Sequence, residues 1–185
     1  PKATWPDHVV DCKAAIAWTK GEIANFGGDP EFIVLAGGSA GGHLAALCAL
    51  TPNDPQFQPG FEGAETSVDG CVSLYGVLEM TGDERSSGLH GRAMVKMLEK
   101  SVMKTSQRDH PQVFEAASPL HRITADAPPF LVIQGRNDTL VPVQVAQQFV
   151  ERFAAVAKSQ LAYVELPLAQ HAFDIFSSPR CTASS

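Results

Sequence analysis

No run of about 18 apolar residues occurs in the chain, so no membrane-spanning helix is expected. Positive charge is scarce: 14 Lys and Arg stand against 20 Asp and Glu, a net charge of -6. Phosphate recognition needs clustered Lys and Arg, which argues against a nucleic-acid partner. The six histidines include no HExxH or other ligand spacing, so no metal site is expected. A phosphate-binding loop of the GxxxxGKS or GxxxxGKT kind is missing too. Cysteine is sparse and never spaced as CxxC. Cys48 and Cys71 fall in apolar segments, and all four, with Cys12 and Cys181, read as free thiols, mostly buried, in a reducing, cytoplasmic setting. There is no internal repeat and no low-complexity tract. The chain also opens at Pro1 without an initiating Met or a signal-like segment, so the true N-terminus is expected to lie upstream.

What is present is the material of one globular domain: 185 residues, 44% hydrophobic and 18% charged. Helical patterns alternate with short apolar runs, which predicts an α/β architecture, a mostly parallel sheet flanked by helices. Residues 8–25 read as a helix with a broad apolar side (Val9, Val10, Cys12, Ala15, Ile16, Ala17, Ile23), stopped by Gly27-Gly28-Asp29-Pro30. Four strands are expected: 32–36, continuously apolar and so buried on both faces, then 68–75, 129–134 and 161–166. Helices are expected at 43–51, 93–102 and 143–158, the last with Pro142 in its first turn. Residues 52–67 read as a loop. Residues 79–127 are too long for a plain connection and read as a cap-like insertion over the sheet edge, and the tail from Phe176 is expected to fray.

The chemistry concentrates at Gly37-Gly38-Ser39-Ala40-Gly41-Gly42. A serine hydroxyl is a weak nucleophile until a neighbouring base takes its proton. It must also stand clear of the backbone, and a strained strand-to-helix turn with tiny flanking residues achieves that. Gly37, Gly38 and Gly41 are those flanking residues here, between an apolar strand and an Ala/Leu-rich helix. The Ala40 N–H, directly after the nucleophile, is the expected oxyanion donor. A base and an acid should follow at the ends of later strands. Asp138 lies just after the third strand and His171 just after the fourth. Asp138 as a mere helix cap is the competing role. Asp174 is a rival acid by proximity but lacks the strand-end position. His43 falls one turn past Ser39 on the same helix, which suits a structural role. Met80, Met94, Met97 and Met103 could line an apolar lid or simply pack in a core.

At residues 37–45 (Gly-Gly-Ser-Ala-Gly-Gly-His-Leu-Ala) the chain resembles the hormone-sensitive-lipase-like branch of the α/β-hydrolases, especially actinobacterial carboxylesterases. The resemblance extends through 27–30 (Gly-Gly-Asp-Pro), 134–142 (Gln-Gly-Arg-Asn-Asp-Thr-Leu-Val-Pro) and 170–173 (Gln-His-Ala-Phe). It implies hydrolysis of small carboxylic esters, with short to medium acyl chains, on Ser39, His171 and Asp138 without a cofactor. One departure stands out. The family's HGGG-type oxyanion loop is not found before Gly37, and Phe26-Gly27-Gly28-Asp29 sits in a helix-to-strand turn instead. The resemblance thus implies a partial fold, the last four strands of eight. The first of them would have an open apolar edge, ready to pair with the missing half or with a second copy. Poor activity of these residues alone is the corresponding expectation. Rival readings are an arylformamidase or a prolyl-oligopeptidase-type enzyme on the same fold, or a non-catalytic binding module.

Overall fold

The computed structural model describes residues 3–82 and 93–175. Helix α1 (Asp7–Glu22) runs into a short 3-10 turn (Ile23–Phe26) that Gly27 closes at φ 84°. Strand β1 (Val34–Gly38) leads through Ser39 into α2 (Ala40–Leu50). Strand β2 (Gly70–Leu74) follows, then helix α3, which covers residues 93–98 and widens into a π-helical turn at Glu99–Met103. After α4 (Pro111–Ala116) come β3 (Phe130–Gly135), α5 (Val143–Val156) and β4 (Leu161–Leu166). The four strands form one sheet in the order β1-β2-β3-β4, every pair parallel. Parallel neighbours need crossovers, and α2, the 75–129 segment and α5 supply them.

Burial explains why the sheet closes. Phe130 on β3 stacks at 5.2–5.4 Å centroid separation on Phe149 and Phe153 of α5. Ala46, Leu47 and Cys48 of α2 join the same core. A second, smaller core gathers Met80, Val95, Leu98, Met103, Phe114 and Ala117. The expected irregular stretch after residue 79 therefore builds its own apolar centre, and the Trp5 N–H ties it to the chain just ahead of α1 by donating to Val102 O at 3.0 Å.

Several sequence-derived boundaries move. The first strand lies at 34–38 rather than 32–36, so Gly37 and Gly38 pair with Ser73 and Leu74 as strand residues. It is not buried on both faces: β1 is an edge strand, with Phe32 and Val34 exposed. α1 buries only Val9, Lys13 and Ile16. Cys12, Ala15 and Ile16 of its apolar side face an open groove of about 430 Å³ shared with β1 and α2, lined also by Ile33, Leu35, Leu44 and Ala45 among others. Lys13, in the middle of the stripe, is buried because its Nζ donates to Cys48 O at 3.1 Å, to Thr51 O and to Thr66 Oγ1 at 3.2 Å. The ammonium thus satisfies carbonyls at the C-terminus of α2, where a cation is favoured. Burial pushes its pKa down to about 8. The 52–67 loop is ordered around the same Thr66, which bonds Asn53 and Gln58. Cys12, Cys48 and Cys71 are free thiols as expected, though Cys12 is only half-buried; Cys181 and the tail from Phe176 lie outside the described residues.

Candidate active site

Residues that end parallel strands share one rim of the sheet, because the strands run the same way. Ser39 follows β1, Asp138 follows β3 and His171 follows β4. Residues 132 positions apart in the chain thus meet: His171 Nε2 lies 2.8 Å from Ser39 Oγ. His171 Nδ1 lies 2.8 Å from Asp138 Oδ2. The buried Asp138 carboxylate also accepts from Gln134 Nε2 at 3.0 Å and from the Leu140 and Val141 N–H groups at 2.9 and 2.8 Å. It is not the cap of α5, whose N-cap is Pro142. Four donors fix the carboxylate, and the carboxylate fixes the imidazole tautomer with its proton on Nδ1. Nε2 is then the bare nitrogen facing the hydroxyl.

The turn at Ser39 has φ 55° and ψ -119°, a region that costs a residue with a side chain about 1–3 kcal/mol. The Ser39 N–H donates to Leu74 O at 2.9 Å and His43 N–H to Ser39 O at 3.0 Å, which pins the strained residue between β2 and α2. A Cβ on Gly37 would lie 2.5 Å from the Gly41 backbone, and one on Gly38 would lie 2.6 Å from Tyr75 Oη. Both glycines are therefore needed for close approach. At Gly41 itself an added Cβ meets nothing within 4 Å among the described residues, so the expected clash there is not found. Ala40 opens α2, so its N–H points out of the helix start toward the rim.

Beside Ser39 and Ala40 opens an apolar cavity of about 310 Å³. Met80, Met94, Met97 and Met103 line it together with Trp5 and Leu140. Met80 and Met103 also pack in the smaller core, the second of the two expected uses of methionine. The acid expected as a rival, Asp174, accepts a hydrogen bond from Tyr75 Oη. Two partners escaped the sequence reading, Gln134 and Tyr75. Gln134 was a usable signal, since an amide four residues before Asp138 can reach forward to its carboxylate. Nothing in the sequence pointed to Tyr75. No group of three or more His, Cys, Asp or Glu that could hold a metal occurs among the described residues.

His43 is buried behind the site, with Nε2 2.8 Å from Ala117 O. A carbonyl only accepts, so Nε2 carries the proton and the ring is neutral. Burial drives its pKa down to about 4, from an ordinary 6.5. Between those values the unfolded chain binds a proton that the folded chain refuses. Stability should therefore fall by about 2–3 kcal/mol as pH drops from 6.5 to 4. Urea unfolding across that range measures the loss, and His43→Gln, which keeps a donor but cannot titrate, should lose less.

A parallel sheet that gathers Ser39, Asp138 and His171 on one rim defines the α/β-hydrolase class, here in a four-stranded portion. The chain belongs to the BD-FAE family, whose profile matches residues 1–153. It is 51% identical over 97% of its length to a probable carboxylic ester hydrolase, LipM, of Mycobacterium tuberculosis, covering 41% of that protein. Esterase LipC of the same organism is 48% identical over 97% of this chain, which covers 44% of it. The chain thus spans less than half the length of these relatives. Among solved structures it is similar to a thermophilic esterase of Thermogutta terrifontis with butyrate bound: TM-score 0.74, 27% identity, 95% of this chain and 60% of that one. The same esterase phosphonylated by sarin superposes with a TM-score of 0.78 at 26% identity, over 94% of this chain and 59% of that one.

Proposed function

We propose that the chain is the catalytic part of a serine carboxylic ester hydrolase that works through an acyl-enzyme on Ser39. The observation that carries this is the continuous relay Asp138–His171–Ser39, both links at 2.8 Å, ending on a strained hydroxyl at the mouth of an apolar cavity. His171 Nε2 takes the Ser39 proton as Oγ attacks the ester carbonyl carbon. The Ala40 N–H holds the developing oxyanion, and His171 then returns the proton to the leaving alcohol. Water enters by the same route and releases the acid. Asp138 stabilises the imidazolium formed in each half. The three side chains and a water complete the chemistry without a cofactor.

The cavity sets the substrate class. At about 310 Å³ it lies at the lower end for ligand pockets and suits a short to medium acyl chain. The butyrate-bound esterase among the similar structures supports the same range. Residues 79–127 serve as a cap-like insertion, since Met94, Met97 and Leu98 form one wall. We read the open β1 edge and the apolar groove behind it as the seat of chain found in the longer relatives, or failing that of a second copy; that chain would also supply the remaining oxyanion donors. A cytoplasmic location accords with the free thiols. No described helix is long and apolar enough to cross a membrane.

The test is a p-nitrophenyl ester series of increasing acyl length, run on the full natural chain. Turnover should peak at short to medium acyl groups and fall steeply for long ones. Turnover of N-formylkynurenine or a peptide in place of every ester would overturn the reading.

A further inference from the structure

Tyr75 stands on the catalytic rim but has no part in the acyl-transfer steps. It follows β2 directly, between the strand that presents Ser39 and the strand that presents Asp138. Its backbone lies at φ 40°, an uncommon and costly place for a bulky residue. The Tyr75 N–H donates to Ile133 O at 2.8 Å, which locks that backbone onto β3. The ring is buried, 3% exposed, and meets the His171 ring edge-on at 4.7 Å between centroids and 64° between planes. It meets Phe173 in the same manner at 5.1 Å. Its hydroxyl donates to Asp174, three residues past His171. The absence of a side chain at Gly38, next to the nucleophile, leaves the room that this hydroxyl occupies.

The segment that carries His171 has little regular structure to hold it. Leu168 and Ala172 both adopt positive φ, and the segment lies beyond the end of β4. Ahead of His171 the Asn137 N–H donates to Ala169 O at 3.0 Å and ties the segment to the loop after β3; at His171 and beyond it, Tyr75 meets the imidazole, Phe173 and Asp174. We propose that the Tyr75–Asp174 hydrogen bond is a latch that holds the His171 loop against the sheet, which makes Tyr75 a positioning residue for the base. The proposal rests on the acyl-enzyme reading. It gives Asp174 a task other than orienting the imidazole, a task Asp138 already fills. Burial, reinforced by the Asp174 carboxylate, raises the Tyr75 phenol well above its ordinary range, so it remains a donor at every pH at which such an enzyme would work.

The test compares Tyr75→Phe, Asp174→Ala, Asp174→Asn, the double variant Tyr75→Phe/Asp174→Ala and Ser39→Ala in the full natural chain. The readouts are kcat and KM on a short p-nitrophenyl ester and the rate of Ser39 phosphonylation by a fluorophosphonate. Loss of a buried orienting bond should lower kcat about ten-fold in Tyr75→Phe and in Asp174→Ala, with KM within about two-fold, and slow phosphonylation equally. The double variant should be no worse than the worse of the two single ones, because both remove the same bond. Asp174→Asn keeps an acceptor oxygen and should keep most of the activity. If Tyr75→Phe folds poorly, Asp174→Ala, changed at the half-exposed partner, gives the same reading. Wild-type kcat in Tyr75→Phe or Asp174→Ala beside an inactive Ser39→Ala would overturn the latch alone, as would losses that multiply in the double variant. An active Ser39→Ala would overturn the acyl-enzyme reading instead.

Discussion

Ser39→Ala should lower kcat for a p-nitrophenyl ester by about 10⁴–10⁶-fold while leaving the fold and substrate binding intact. Removing the hydroxyl removes the atom that forms the covalent bond, and no other nucleophile can take its place without the relay. Losses of this size follow when one member of a cooperating triad is deleted, since the survivors cannot act alone. Stability should barely change in Ser39→Ala, because alanine inherits the same strained φ of 55°. Ser39→Gly separates the two effects. Glycine tolerates positive φ, so this variant should be inactive yet more stable by about 1 kcal/mol, measurable by urea unfolding. A Ser39→Gly variant less stable than Ser39→Ala would mean the turn is not strained. Retained ester turnover in both would mean that Ser39 is not the nucleophile.

Asp138→Asn should cost about 10⁴-fold in kcat with little change in KM. The argument is one of donors and acceptors. Asp138 Oδ1 accepts from the Leu140 and Val141 N–H groups, and Oδ2 accepts from Gln134 Nε2 and His171 Nδ1. The asparagine carbonyl must stay with the two backbone N–H groups, so its amide NH₂ then faces His171. An NH₂ cannot accept from Nδ1–H, and the imidazole moves its proton to Nε2. That nitrogen can no longer take the Ser39 proton. Among the described residues Gln134 Oε1 has no partner, so turning the Gln134 amide would let it accept from the new NH₂, but Nε2 would give up its bond to Val141 O at 3.0 Å, so Asp138→Asn should also lose some stability. Equal kcat for wild type and Asp138→Asn would remove Asp138 from the relay. A proton on His171 Nε2 in Asp138→Asn and on Nδ1 in wild type, read from nitrogen chemical shifts, would support the tautomer argument directly.

The three side chains of the proposed relay were legible because each is tied to a strand end, and strand ends can be read from short apolar runs followed by glycine or polar residues. The turn around Ser39 adds a local signal that needs no knowledge of the rest of the fold. The edges of elements were less legible. Gly37 and Gly38 looked like turn residues, yet they pair with Ser73 and Leu74, because a parallel ladder needs only backbone and the neighbours crowd out side chains. Lys13 lies in an apolar stripe and looks out of place until the C-terminus of α2 arrives beside it with carbonyls to satisfy. Tyr75 and Asp174 are 99 residues apart, and neither carries a local mark of the bond they share. The breadth of the apolar side of α1 was read correctly as composition but not as burial, since of it only Val9 and Ile16 are buried, while Cys12 and Ala15 face the open groove beside β1.

The most direct test of the account is to catch the acyl group on its serine. A rapid acid quench of the full natural chain during turnover of a short-chain p-nitrophenyl ester, followed by proteolysis and mass spectrometry, should find the acyl mass on the peptide containing Ser39. It should vanish in Ser39→Ala. An acyl adduct on another residue, or burst-free turnover with Ser39 unmodified at every quench time, would contradict the relay as the source of hydrolysis.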